Sequence, residues 1–410
     1  MQSSTSALND LPVLYFFSDL RMPHSEDGIG LLVSFNEKAG PVQGETGIPG
    51  LRLDFNAGCR LRVPEGNFHV RISNNDTEQI FYDMDIQNTI LISMEQYFIP
   101  WKIEVWLDKQ LVFVHEYDAT GQRVCCELLG NVLGDSILLL PSILAFQKKW
   151  HCEIELLCGN VFADILKNYY PSFHWVTEFP KDTYASYHVG ACQDELCFQP
   201  DSSRSTPALD IGRNLLGLLH PAPLVPYTPT KPRQIPEPYV CIAVQASGAR
   251  KCWLYPGGWD VAVAYLKELG YRVLCIDGEF SQDEDGYHIE KPAGAEDYTG
   301  MHPLMERINL LAYASFFIGV SSGLSWLAHA SQCPQIVISG ITLPYTELTD
   351  YRVINRQVCH GCFNDMRVNW RTPACPHHHD TDRMFECSRK ITPKMVIHMI
   401  DCVRAEHPDR

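Results

Sequence analysis

The chain has 410 residues, a formal net charge of −16, 45% hydrophobic and 20% charged residues. That length holds two or three domains with full cores, and the composition is that of a soluble globular protein. The acidic balance excludes broad nucleic-acid affinity, which needs a basic footprint, and no apolar run approaches the roughly 18 residues of a membrane span.

Residues 1–50 are expected to be an irregular extension. Met1 to Ser6 shows no basic segment followed by an apolar one, so no signal peptide is expected. Sixteen cysteines in such a chain predict reduced thiols, metal ligation and a cytoplasmic location. Val13 to Phe17 can form an edge strand, while Gly28, Gly30, Gly40, Gly44, Gly47 and Gly50 punctuate the remainder. Over 51–122 the pattern is two-fold. Phe68, Val70 and Ile72 alternate with polar residues, as do Ile80, Tyr82, Met84 and Trp101, Ile103, Val105. This predicts a small antiparallel β-sandwich or barrel.

Residues 123–220 alternate strand and helix. Val124–Leu129, Cys152–Cys158 and Phe173–Thr177 read as strands, and Ser136–Lys148 and Val161–Asn168 as helices, with Pro141 early in its helix. Seven prolines between Pro221 and Pro238 predict a stiff linker over 221–238. A second α/β unit follows over 239–350. Its strands are Tyr239–Val244 and Tyr271–Ile276, its helices Asp260–Leu269 and one marked by Leu304, Ile308 and Leu311. Phe316–Val320 is then a buried strand, Ser321-Ser-Gly323 a tight turn, and Leu324–Ala330 a helix start. Strand, small-residue turn and helix N-terminus gather N–H groups and positive potential around a phosphate. An ordinary serine N-cap is the plainer reading of the same turn.

Residues 351–410 carry Cys359-His-Gly-Cys362, Cys375 and Cys387, a C-x2-C-x12-C-x11-C spacing. Four such thiols in surroundings rich in Asp, Arg, His and Pro predict a closed tetrahedral metal site, followed by a C-terminal helix. His360 and His377 to His379 are possible substitutes, and four thiolates suit iron and zinc alike. Cys59, Cys125, Cys126, Cys152 and Cys241 lie in or beside apolar strands and are expected to be buried.

Three stretches in this order resemble ADP-heptose-dependent glycosyltransferases. They are Gly134-Asp135 with Pro141, Glu296-Asp-Tyr-Thr-Gly300, and Ser321-Ser-Gly-Leu-Ser-Trp-Leu-Ala-His-Ala330. Tyr239 to Ala243, Gly270 to Asp277 and Thr381 to Cys387 also resemble the bacterial autotransporter heptosyltransferases, which add a β domain in front and a four-cysteine finger behind. The resemblance covers about residues 51–402. It implies a GT-B fold of two Rossmann-like halves and transfer of heptose from ADP-glycero-manno-heptose to serines of an autotransporter passenger in the cytoplasm. It also implies iron, one per chain, and a dodecameric ring. Another sugar-nucleotide transferase, such as one acting on lipopolysaccharide, and a catalytically silent scaffold are the rival readings.

By the same resemblance Asp135 is the base that takes the acceptor proton; without it, an Asp before a helix reads first as an N-cap. Lys251 is expected to neutralise the diphosphate, with Ser322, Gly323 and Leu324 as its cradle. Asp277 is a candidate acceptor from ribose or adenine, Thr299 and Gly300 candidates for approach to the nucleotide, and Trp253 and Trp259 for stacking. A buried core position is the more frequent reading of Trp253 and Trp259, and a helix cap the alternative reading of Thr299 and Gly300. Loss of the finger is expected to affect the nucleotide contacts only secondarily.

Overall fold

The computed structural model describes residues 11–17, 26–130, 132–159, 162–191, 195–349, 351–370, 374–408 and 410. The chain divides into two compact units. One comprises residues 1–131, 139–203 and 209–222, the other 132–138, 204–208 and 223–410.

In the first unit, β1 (Val13–Phe16) and α1 (Glu26–Ala39) precede β2 (Arg52–Asn56), β3 (Arg60–Val63), β4 (Phe68–Asn74), β5 (Ile80–Ile86) and β6 (Thr89–Ser93). Next come β7 (Trp101–Leu107), β8 (Gln110–Glu116), β9 (Arg123–Leu128), α2 (Leu133–Trp150) and β10 (Glu153–Leu157). Then follow α3 (Ala163–Tyr169), β11 (His174–Val176), β12 (Ala185–Val189) and α4 (Ala208–Leu215). The alternating strands β5-β4-β7-β8 form an antiparallel sheet, as their two-fold pattern dictates. The other antiparallel strands do not close a separate sandwich. They continue the parallel strands in one eight-stranded sheet of order β1-β6-β3-β2-β12-β9-β10-β11.

Two expectations change here. The glycine-rich stretch before residue 50 contains the helix α1, whose Leu32 and Phe35 are buried against Ala57 and Phe198. Gly28 lies in that helix for close approach, since a β-carbon there would meet the Glu195 carboxylate at 2.6 Å. Helix α2 begins at Leu133, before the expected Ser136, so Pro141 is interior and removes one helical hydrogen bond. Its residues 133–138 belong to the second unit.

The second unit opens on the proline-rich segment, which is fastened to its own unit. Tyr227 is buried and donates its N–H to the Ala330 carbonyl (2.7 Å), and Thr230 N–H donates to Asn309 (2.8 Å). There follow β13 (Tyr239–Ala243), α5 (Gly258–Glu268), β14 (Arg272–Cys275), the hairpin β15 (Ser281–Glu284) and β16 (Tyr287–Glu290), β17 (Glu296–Asp297) and α6 (Leu304–Tyr313). The chain ends on β18 (Phe316–Val320), α7 (Gly323–Ala330), β19 (Gln335–Ile338), β20 (Tyr351–Val353), α8 (Glu386–Arg389) and α9 (Pro393–Glu406). Six of these strands form an all-parallel sheet of order β17-β14-β13-β18-β19-β20. Their apolar side chains, with those of α5 and α9, make the core. The order reverses about β13, so the loops after β13, β14 and β18 leave the same edge around a topological switch point. Among the described residues no helix is long and apolar enough to cross a membrane.

Candidate functional site

The turn after β18 and the first turn of α2 meet inside the second unit. A β-carbon on Gly323 would lie 3.2 Å from Cβ of Leu133 and 3.6 Å from the Gly134 nitrogen. One on Gly134 would lie 2.8 Å from Cδ1 of Trp326. Glycine at both positions lets the two helix starts touch, so N–H groups without intrahelical partners converge from α2 and α7. Ser322 is the N-cap of α7, yet its hydroxyl makes no cap hydrogen bond. Its Oγ is buried without a partner among the described residues. Such an orphan fits a ligand oxygen. Ser325 instead donates to the Val320 carbonyl at 2.5 Å and closes the turn from within.

Asp135 is the third residue of α2, so the N-cap reading is excluded. It is half-buried, and desolvation holds its carboxyl above the usual range while the Lys251 ammonium pulls the other way. Lys251 ends a short 3-10 turn, Ala249–Lys251, in the loop after β13. Its Nζ donates to Ser247 Oγ at 3.1 Å. Burial and then the neighbouring Arg250 hold its pKa below the usual lysine value, opposed by Asp135 and Glu347. A carboxylate, a cation and two adjoining helix starts therefore occur in one unit.

The remaining candidates serve the loops. Asp277 is buried, and its two oxygens accept from the N–H groups of Val244 (2.8 Å) and Gln245 (3.2 Å), which ties the loop after β13 to the end of β14. Thr299 bonds Asp297 through both N–H (3.0 Å) and hydroxyl (2.7 Å). Gly300 has φ 111°, open to glycine, and its N–H donates to the Asp277 carbonyl at 3.1 Å. Trp259 packs edge to face on Trp253 (5.1 Å) against the sheet core, and Trp253 donates to the Ile391 carbonyl at 2.8 Å.

Sequence reasoning missed three residues. Arg307 is buried on α6 and donates to the carbonyls of Tyr298, Asp277 (3.1 Å) and Gly300 (3.0 Å), so one guanidinium holds the loop that Thr299 and Gly300 occupy. Its signal was an arginine on the apolar face of a helix, beside Leu304, Ile308 and Leu311. Glu347 is buried, bridged by Arg352 and by Thr342 Oγ1 (2.7 Å), and faces Lys251 electrostatically. Trp326 roofs Gly134 and carried no signal beyond its place in the motif.

The cysteine-rich segment brings its thiols together. Cys359, Cys362 and Cys387 are held above the usual thiol range, first by burial and then by one another and Cys375, Cys362 to about 12. Gly340 permits the packing, since a β-carbon there would meet Cys387 at 2.4 Å. Cys359 also shares a cluster with His378 and Glu386, their ligand atoms lying within 4.8 Å of one another. Four thiols within electrostatic reach of one another, in a segment with little regular structure, fit a thiophilic ion, as does the group of Cys359 with His378 and Glu386. The same segment is fastened to the loop after β13 that carries Lys251. Ser388, next to Cys387, accepts from the Leu254 N–H (2.8 Å) and donates to the Cys252 carbonyl. No disulfide joins the fifteen described cysteines, and Cys59, Cys125, Cys126, Cys152 and Cys241 are buried as expected.

The chain matches two family models, the N-terminal domain of glycosyltransferase TibC over residues 47–109 and glycosyltransferase family 9 (heptosyltransferase) over residues 221–363. It is 38% identical over 362 residues to the autotransporter heptosyltransferase BAHTCr of Citrobacter rodentium, covering 86% of this chain and 88% of that one. To the autotransporter heptosyltransferase TibC of Escherichia coli it is 36% identical, covering 86% and 89%. A crystal structure of dodecameric iron-containing TibC with ADP-D-beta-D-heptose superposes with a TM-score of 0.83 at 34% identity, over 89% of this chain and 98% of that chain. An inactive relative, BimC of Burkholderia thailandensis, is 32% identical, covering 86% and 85%.

Proposed function

This chain belongs to the autotransporter heptosyltransferase family, with its GT-B fold, and on that premise we propose that it transfers heptose from ADP-glycero-manno-heptose to serine hydroxyls of an autotransporter passenger. The observation that carries the reading is the close approach of the turn bearing Asp135 to the glycine-lined turn of α7, with Lys251 in electrostatic reach of Asp135. The acceptor oxygen attacks the anomeric carbon, Asp135 takes its proton, and the bond to the ADP oxygen breaks. Lys251 and the N–H groups at Ser322, Gly323 and Leu324 receive the charge that grows on the departing diphosphate. Trp326 and Gly134 hold the base-bearing turn against that cradle. Thr299 and Gly300, fixed by Arg307, line the nucleotide side. We assign Asp277 to shaping the loop that carries Lys251, because both its oxygens already accept backbone N–H groups, and Trp259 to the core.

Cys359, Cys362, Cys375 and Cys387 would hold one iron ion, which supplies a cross-link to a segment too poor in apolar surface to order itself. Iron and a dodecameric ring are taken from the TibC structure, zinc being the alternative the same thiols accept. The acidic chain without a membrane-spanning helix among its described residues fits action in the cytoplasm, before secretion of the passenger. The inactive relative makes turnover a matter of residues rather than of membership.

The test is intact-mass spectrometry of a passenger co-expressed with the chain in cells that make ADP-heptose. Serial additions of one heptose mass, lost with Asp135→Asn, are expected. An unmodified passenger alongside folded, ADP-binding protein would leave the silent-scaffold reading.

A further inference from the structure

The loop after β13 faces two ways. Ala249, Arg250 and Lys251 form a single 3-10 turn, closed by Lys251 N–H to Gly248 (3.0 Å) and Cys252 N–H to Ala249 (3.0 Å). Successive side chains on such a turn diverge by about 120°. Lys251 is in electrostatic reach of Asp135, whereas Ala249 and Arg250 pack on the cysteine-rich segment. Ala249 is fully buried against Cys375 and Phe385. The Arg250 guanidinium lies 3.8 Å over the Trp370 ring, and Trp370 packs on Cys362, Cys387 and Ile341. Arg250 is in electrostatic reach of Cys362 and Asp285, and its Nη1 is buried without a hydrogen-bond partner among the described residues.

Arg250 is half-buried, and a guanidinium with one buried, unused donor is better satisfied when an anion faces it. Four thiolates around a divalent or trivalent ion carry a net negative charge, and protonated thiols carry none. The stacked, planar guanidinium suits such a diffuse anion better than a point ammonium does.

We propose that Arg250 is the counter-cation of the four-cysteine site and the positioning residue through which that site sets the Lys251 turn. Diphosphate affinity at Lys251 then depends on metal loading of the cysteines. The proposal rests on the assignments of the four cysteines to an ion and of Lys251 to the diphosphate.

The test uses the full-length chain as isolated, with wild type, Arg250→Ala, Arg250→Lys and Lys251→Ala. Metal per chain is measured by elemental analysis, the iron–thiolate absorption band by spectroscopy, and ADP affinity by calorimetry before and after chelation. Chelation of wild type is expected to weaken ADP binding about tenfold or more, the loss of one charge-assisted contact. Arg250→Ala should keep its ion, shift the absorption band, and bind ADP as weakly as chelated wild type, with little further loss on chelation. Arg250→Lys, which keeps the charge and serves if the alanine variant does not fold, should recover part of the affinity and of the band position. An Arg250 variant that lacks the wild-type guanidinium yet keeps the wild-type band and ADP affinity would overturn the proposal. So would chelated wild type that binds ADP as well as before. Metal-free wild type, or Lys251→Ala with unchanged ADP affinity, would instead overturn the assignments beneath it.

Discussion

Gly134 and Trp326 lie so close that a single methyl group on the glycine would sit 2.8 Å from the indole Cδ1. That contact joins the first turn of α2 to the first turn of α7, and with it the proposed base to the proposed cradle. Gly134→Ala should therefore displace one helix start, lowering the melting temperature by several degrees, on the order of 1–3 kcal/mol of overpacking. Transfer should fall more steeply than stability, because a shift of about 1 Å at a reacting group costs roughly a hundredfold. Combining Gly134→Ala with Trp326→Leu should recover stability. A double variant no better than the product of the singles would show that the contact does not couple the two turns.

Asp135→Asn should abolish transfer while leaving the fold intact. Burial holds the Asp135 carboxyl above its ordinary value of 3.8. The native state therefore keeps its proton longer than the unfolded chain, and stability contributed by this group falls as pH rises through that interval. Removing the charge relieves this cost, offset in part by a lost helix-dipole contact of about 0.3–1 kcal/mol. The melting temperature at neutral pH should be unchanged or slightly higher. Near-normal turnover in Asp135→Asn would remove it as base.

The coupling of Asp135 and Lys251 also sets a pH profile. Transfer needs the carboxylate ionised and the ammonium protonated. The acidic limb should lie above the ordinary aspartate range, and the alkaline limb below the ordinary lysine value of 10.5. In Lys251→Ala the cation that lowers the Asp135 pKa is gone, so the acidic limb should move to still higher pH as ADP affinity falls. An acidic limb that stays in place when Lys251 is removed would dissociate the two groups.

Arg307 holds the carbonyls of Tyr298 and Gly300, in the loop that carries Thr299, and that of Asp277 after β14. Arg307→Ala should cost about 3–5 kcal/mol by leaving buried acceptors unpaired. Arg307→Lys should fold but raise KM for the sugar nucleotide more than it lowers kcat, since a point donor cannot serve all three. Steady-state kinetics of the lysine variant decide this, and unchanged KM would confine Arg307 to folding.

Much of this was legible in the chain because periodicity reports burial. The two-fold pattern of Phe68, Val70 and Ile72 gave a strand, and the run from Phe316 to Ala330 gave strand, turn and helix. What stayed hidden depends on partners distant in sequence. Gly28 looked like punctuation, whereas it admits Glu195 beside a helix. Asp277 looked like a nucleotide ligand at a strand end. Its neighbours Val244 and Gln245 turn their N–H groups onto it, which no local pattern encodes. The carbonyls that receive Arg307 and the indole that receives Arg250 come from other parts of the chain.

The cysteine segment offers two ligand sets, and substitution separates them. Four thiols lie in electrostatic reach of one another, while the ligand atoms of Cys359, His378 and Glu386 lie within 4.8 Å of one another. Glu386 is already engaged, accepting from the Cys359 N–H at 3.1 Å and bridged by Arg383, which suits a group that orients a ligand rather than one that binds an ion. Cys359→Ser, Cys362→Ser, Cys375→Ser and Cys387→Ser should each lower metal content well below one ion per chain and remove the iron–thiolate band, or leave a colourless protein unchanged in colour if the ion is zinc. His378→Ala should keep the ion, and Glu386→Gln should weaken it by roughly 10–100-fold as an outer partner does. Solubility and assembly, followed by size exclusion, should fail with the cysteine variants if the proposed ion supplies the cross-link of this segment. A His378→Ala chain that loses its metal as completely as Cys375→Ser would replace the four-thiolate site with a mixed one.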